Sequence, residues 1–195
     1  MNVLIHRFTV CIIFSRCYGN ERFLIPEIFF RILECFERAS SPFVSNEESN
    51  RILTFVVVGG GPTSIEFASE LCDFLRYDVS KWYHDLQARY KLVIVEAGNQ
   101  LLGSFDSSLS SYVMRQLASS NVIIKTGQHV KEVKDISVIL GSGEEIPFGI
   151  CVWSTGNRRT EFVNGMDVSQ TRDQRIKIDD QLKVTLLLLR YCTIL

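Results

Sequence analysis

Val57–Leu71 reads VVGGGPTSIEFASEL, with three glycines between a β-branched apolar run and a helical pattern. That arrangement suits chemistry on phosphates. A strand that stops abruptly, with a helix starting at once, leaves free amide hydrogens and a positive dipole end facing an anion. Within Gly59-Gly60-Gly61, Gly59 suits the tight turn. Gly61 removes the Cβ that would hold a pyrophosphate off the backbone. Pro62 falls at the first helical position, where a missing N–H costs nothing, and Thr63 adds a hydroxyl. Ser64 stands where the dinucleotide fingerprint has its third glycine, so a slightly displaced helix is expected with the site kept. No Gly-Lys-Ser/Thr follows, which excludes a P-loop. A glycine-rich turn with no ligand would carry the same residues, so the neighbouring elements must decide.

Three further positions bear on that choice. Glu96 ends the run LVIV, where an acid accepts hydrogen bonds from ribose hydroxyls and repels a 2′-phosphate. The competing account is a solvated acid at a strand end. Glu66 lies on the first turn after the loop, where it either answers the helix dipole or faces the nicotinamide side of a dinucleotide. Trp153-Ser154-Thr155-Gly156 closes the last apolar run, either as an ordinary strand end or as a second backbone approach to the cofactor.

The elements that must hold these residues follow from periodicity. Residues 21–38 carry Ile28, Ile32, Leu33 and Phe36 at helical spacing after Pro26. Ala39–Asn50 is Ser-rich and acidic and reads as a linker. Arg51–Val58 reads as a strand buried on both faces. The helix after the loop presents Ile65, Ala68, Leu71, Cys72 and Leu75, with helical character continuing to about Arg89. Leu92–Val95 is the second strand. Asp106 caps a helix over Ser107–Ser119, whose stripe is Leu109, Tyr112, Val113, Gln116 and Leu117. Val122–Lys125 is the third strand. Val130–Val133, Ser137–Leu140 and Glu145–Pro147 are short strands joined by turns, and Ile150–Ser154 is a last buried strand. The order gives an α/β, Rossmann-like dinucleotide-binding domain with an antiparallel β insertion.

Composition excludes several alternatives. The chain has 195 residues and 21 Lys+Arg against 22 Asp+Glu, so non-specific attraction to nucleic acid or anionic lipid is weak. Hydrophobic residues make up 46%, enough to exclude wholesale disorder. The six cysteines form no Cys-x-x-Cys and pair with no histidine at zinc spacing, so they read as reduced and packed, with no metal site. No apolar run has the length of a membrane span. Residues 1–20 hold Arg7 and Arg16 without an acid, which superficially suits a transit peptide and equally a signal-like stretch around Val10–Phe14, and neither targeting signal is expected.

VVVGGGPTSIEFASEL, the acid of VIVEAG, SFDSSLSSYVMRQL and VWSTG together resemble the type II NADH:quinone oxidoreductases, the single-chain alternative NADH dehydrogenases of mitochondria and bacteria. FRILECFERASSP and EEIPFGICVWSTG resemble the mitochondrial, plant-like branch. The resemblance implies two Rossmann-type domains, a discontinuous one for FAD and an inserted one for NADH. It implies hydride transfer from NADH to flavin and onward to ubiquinone without proton pumping. Gly59, Gly60, Gly61, Pro62, Thr63 and Ser64 would hold the pyrophosphate, and Glu96 the ribose. Thr155 and Gly156 would lie beside the dinucleotide, with Glu66 near the nicotinamide and flavin. A mitochondrial inner-membrane location, peripheral membrane association and a homodimer are implied for the complete family protein.

The same resemblance marks departures. No glycine-rich loop for FAD precedes residue 51, and RIKIDDQLKV runs into TLLLLRYCTIL where the family has a Gly-Asp motif on FAD. The expected organisation is a remnant of the FAD domain plus linker over 1–50, an NADH domain over 51–156, and a truncated return over 157–195. On that expectation the chain binds NADH and is inactive alone, and Ile32, Leu33 and Phe36 are left partly exposed. The alternatives are a non-enzymatic NADH-binding remnant or pseudogene product and, as a different class, an S-adenosylmethionine-dependent methyltransferase. Without a redox cysteine pair, electron transfer to a thiol is not expected.

Overall fold

The structure, a computed structural model, describes residues 4–6, 9–13, 21–155, 161–171 and 176–184, with side chains from residue 28 onward apart from those of 161 and 164. It divides into two units, Met1–Thr155 and Gly156–Leu195. In chain order the first holds β1 (Leu4–His6), β2 (Thr9–Ile13), α1 (Glu21–Ala39), α2 (Asn46–Ile52), β3 (Thr54–Val58) and α3 (Pro62–Asp73). A π-helical segment, Phe74–Val79, then leads to α4 (Ser80–Trp82), a 3-10 turn at His84–Leu86 and β4 (Lys91–Val95). After these come α5 (Ser107–Ser119), β5 (Val122–Lys125), β6 (Val130–Val133), β7 (Ser137–Leu140), β8 (Glu145–Pro147) and β9 (Ile150–Trp153).

The main sheet has the order β1-β2-β9-β3-β4-β5. Strands β2, β9, β3, β4 and β5 are parallel, and β1 closes one edge as an antiparallel hairpin with β2. Alternation assigns the two faces. Phe55, Val57, Leu92 and Ile94 pack with α1 and α3, whereas Val56, Val58, Val93 and Val95 pack with Val138, Leu140, Ile146 and Phe148 of the β6-β7-β8 meander and its exit. Both faces are therefore covered, which explains the unbroken apolar runs. The α/β class with an antiparallel insertion is as the sequence indicates.

Four local expectations need correction. The segment read as a linker contains α2, and the strand read from Arg51 begins at Thr54. Ser45 caps α2 by accepting from the Glu48 amide, Glu47 and Glu48 sit in its first turn, and Arg51 pairs with Glu48 at 2.6 Å. Those local signals outweigh the loop-like composition. The α5 stripe is rotated: Ser110 and Leu117 are buried, Val113 and Met114 partly so, and Leu109 and Tyr112 face outward. The buried hydroxyl of Ser110 donates to the Leu101 carbonyl at 2.7 Å, which is how a serine comes to face the core.

Nor is the Ile28–Ile32–Phe36 stripe of α1 left exposed. Ile28, Ile32 and Phe36 are buried and Leu33 is partly so. Phe36 meets Phe55 of β3 and Tyr83, with ring centroids 6.2 and 5.5 Å apart. The helix covers the sheet of the glycine loop itself. Strand β2, which sequence reading did not assign as a strand, pairs in register with β9 from Val10↔Ile150 to Ile13↔Trp153.

The second unit, taken by itself, holds α6 (Glu161–Asn164), the bridges Gln170↔Ile176 and Ile178↔Val184, and a buried Val168. Among the described residues no helix is long and apolar enough to cross a membrane. Cys35, Cys72 and Cys151 are buried, and burial pushes the Cys35 thiol up to about 12 and Cys72 to about 11. The side chains of Cys11, Cys17 and Cys192 lie outside the described residues.

Candidate functional site

Strand order reverses at β3, whose neighbours are β4 on one side and β9 on the other. In such sheets the crevice beyond the strand ends at this switch point is where ligands bind. The sequence ends β3 at Val58 and makes the turn with Gly59, whose φ of 118° lies in the region only glycine enters freely. A Cβ there would come within 2.9 Å of the Ser154 carbonyl and within 3.1 Å of the Thr155 Cβ. Gly59 is therefore the point where the β3 and β9 ends touch. Its amide donates to the Val95 carbonyl at 2.8 Å, and the Ser154 amide donates to Val58 at 2.9 Å.

Gly60 is buried and fully engaged. Its amide donates to Glu96 Oε2 at 2.5 Å, and its carbonyl accepts from Leu102 at 2.7 Å. The other carboxylate oxygen of Glu96 accepts from the Gly98 amide at 2.6 Å. The acid at the end of β4 and the glycine loop thus form one bonded unit. Neither a free strand-end acid nor a loop waiting on its own describes it.

Gly61 is the open member. A Cβ built on it would meet nothing within 4 Å. It is the N-cap of α3 without a side-chain cap, and Pro62 follows as the first helical residue. The N-terminus of this twelve-residue helix thus carries no side-chain cap, and the exposed Pro62 and Thr63 open its first turn. Ser64 is fully buried behind the turn, where its hydroxyl donates to the Ser154 carbonyl at 3.3 Å. It fills the place of a packing glycine without leaving a polar atom unpaired.

Glu66 is exposed on the first turn of α3, and Thr155 is exposed at the end of β9. Gly156 lies outside the described residues. The structure therefore brings Gly59, Gly60, Gly61, Ser64, Glu96 and Thr155 to one crevice, with Pro62, Thr63 and Glu66 on the helix turn above it.

Sequence reasoning missed three supports. Gly98 holds the second carboxylate oxygen. Leu101 packs against Gly60, whose added Cβ would stand 2.8 Å from Leu101 Cδ2. Leu102 adopts a φ of 52° to reach the Gly60 carbonyl. Only Gly98 left a signal, as the glycine two places after the acid in EAG. Among the described residues no group of His, Cys, Asp and Glu could hold a metal ion.

The pyridine nucleotide-disulphide oxidoreductase family matches residues 26–187. An internal alternative NAD(P)H-ubiquinone oxidoreductase A1 of Solanum tuberosum mitochondria is 42% identical over 143 residues, 73% of this chain and 28% of the relative. The mitochondrial external NADH-ubiquinone oxidoreductase 2 of Saccharomyces cerevisiae is 35% identical over 179 residues, 86% of this chain and 33% of the relative. The structure of NDH2 from Plasmodium falciparum in complex with NADH superposes with a TM-score of 0.71 at 27% identity, covering 82% of this chain and 34% of that one. The chain spans about a third of the length of the curated relatives it matches. It belongs to the pyridine nucleotide-disulphide oxidoreductase family, among relatives that are type II NADH dehydrogenases.

Proposed function

We propose that this chain is the NADH-binding part of an FAD-dependent NADH:ubiquinone oxidoreductase that pumps no protons. The observation that carries the reading is the joined pair of features at one crevice, the open Gly61 with the uncapped α3 and the Glu96 carboxylate bound to the loop. The amides of the first α3 turn and the Thr63 hydroxyl take the pyrophosphate. A carboxylate offers about four lone-pair sites. Gly60 and Gly98 use two at Glu96, which leaves two for the adenosine ribose hydroxyls. A 2′-phosphate at that place would meet the same negative charge, so NADH is favoured over NADPH. Thr155 and Gly156 border the dinucleotide, and Glu66 faces its nicotinamide side.

FAD, when bound, would supply the redox chemistry that links hydride from NADH to quinone. Among the described residues the open glycine turn occurs once, so it serves one dinucleotide, and no step through the flavin is assigned to residues of this chain. The chain alone therefore binds NADH without turnover. Mitochondrial relatives support a mitochondrial location. The inner membrane, peripheral association with it and a homodimer are part of the proposal for the complete protein.

Titration of the purified chain with NADH, NADPH and S-adenosylmethionine tests the reading. NADH should bind tighter than NADPH, with no bound flavin absorbance. Glu96→Gln should narrow the NADH/NADPH gap, and an unchanged ratio would remove Glu96 from the ribose role. Binding of S-adenosylmethionine in place of NADH would overturn the assignment.

A further inference from the structure

A cavity of about 700 Å³ lies between the segment after α1 and the Trp82–Arg89 stretch. Its position sets it apart from the glycine loop. Residues 39–46 lead through α2 into the start of β3, and Arg89 stands just before the start of β4. The cavity therefore belongs to the N-terminal side of these strands, whereas the dinucleotide crevice lies beyond their C-terminal ends.

Arg89 is the distinctive wall residue. It is half-buried, and its guanidinium is fixed by neutral acceptors only. Nε and Nη2 donate to Asn50 Oδ1 at 3.4 and 3.2 Å, and Nη2 donates to the Asn46 carbonyl and Oδ1 at 3.3 and 3.4 Å. Among the described residues no carboxylate pairs with it. Arg51, Lys81, Lys125 and Lys134, by contrast, each hold an acid. A guanidinium fork oriented by long, uncharged hydrogen bonds still has its strongest partner to make, a planar or tetrahedral oxyanion.

The surroundings suit such a ligand. Ser41 and Ser45 line the same cavity. Their oxygens accept from the backbone amides of Phe43 and Glu48, so each hydroxyl proton remains available to donate. Trp82, Tyr83 and His84 form the facing wall. They follow the π-helical segment that ends at Val79, and such segments are rare and concentrate at functional places. Asp85 is the one acid among the lining residues, and it opposes an anion.

We propose that this cavity binds a small oxyanion, a phosphate or a carboxylate, on the Arg89 guanidinium. The site stands whether or not the chain binds NADH.

Trp82 is 64% exposed on the cavity wall, which makes its fluorescence the reporter. The chain carrying Trp153→Phe is titrated with inorganic phosphate and, separately, with succinate, each against chloride at matched ionic strength. A saturable change with either anion is expected, and the tighter of the two identifies the source. Arg89→Gln should weaken it at least about tenfold, equivalent to 1.4 kcal/mol, and Asp85→Asn should tighten it. Far-UV circular dichroism and the urea unfolding midpoint of each variant report the fold. Should Arg89→Gln fail to fold, Ser41→Asp places a repelling charge in the cavity and should abolish the response. No response beyond chloride, or equal affinity in the Arg89 and Asp85 variants, would overturn the proposal.

Discussion

The Glu96 carboxylate grips the glycine loop through the Gly60 amide, Oε2 to N at 2.5 Å, while its other oxygen holds Gly98 at 2.6 Å. One side chain thus orders two backbone turns at the ends of adjacent strands before any ligand arrives. The loop geometry depends on an acceptor-only group at this position, because both partners are donors.

Glu96→Gln keeps the size and loses that property. Its amide NH₂ must face either Gly60 or Gly98, setting donor against donor. The cost should be about 1–3 kcal/mol of folding free energy. Urea unfolding without ligand checks it, and an unchanged midpoint would mean that the carboxylate does not bridge these amides in solution.

Gly60 and Gly61 should separate folding from binding. A Cβ at Gly60 would stand 2.8 Å from both Glu96 Cγ and Leu101 Cδ2. Leu101 is fully buried and Glu96 is pinned, so Gly60→Ala should cost about 1–3 kcal/mol by overpacking. Gly61 meets nothing within 4 Å. Gly61→Ala should fold with the parent's midpoint yet bind NADH at least about tenfold more weakly, about 1.4 kcal/mol. Paired unfolding and titration curves distinguish the two.

Phe36→Ala tests whether α1 belongs to the unit that carries the loop. Phe36 is fully buried between Phe55 and Tyr83, so truncation should cost about 3–5 kcal/mol. That is a large part of an ordinary domain's 5–15 kcal/mol. A loss within experimental error would show that the helix docks without stabilising the sheet.

Acid should destabilise the first unit through Glu48. Its hydrogen bonds from Arg51 hold its carboxyl below the usual carboxylate range. A carboxyl depressed in the folded state contributes stability above its unfolded pKa, lost as pH falls through the lowered folded value. Asp106, held down by Ser108, and Glu145, held down by Ser137 and Lys134, act in the same direction. Glu48→Gln should lower the urea midpoint at neutral pH, change it less in acid, and so flatten the acid limb. The effect is modest because the Glu48 side chain is 42% exposed. An unchanged acid limb would remove Glu48 from the acid response.

Much of the first unit is set by local rules and was legible in the residues. The β-branched run into Gly59, the Pro62 helix start, the Asp106 cap and the meander turns each act within a few positions. The element order then leaves little choice of sheet. The glycine loop, Glu96 and the Trp153–Thr155 strand end could be read as one site for the same reason, because a parallel sheet gathers the C-terminal ends of its strands.

Tertiary structure alone decided what depends on partners distant in sequence. Helix α5 turns Ser110 inward because the Leu101 carbonyl waits there. Helix α1 buries Phe36 because Phe55 and Tyr83 form its socket. Arg89 is set without a counter-charge because Asn46 and Asn50 reach it from α2. The Glu96 bridge is of the same kind. Residue types supplied an acid and three glycines, and only the adjacency of β3 and β4 put the carboxylate on the Gly60 amide. Sequence determines which groups can bond, and the fold determines which ones meet.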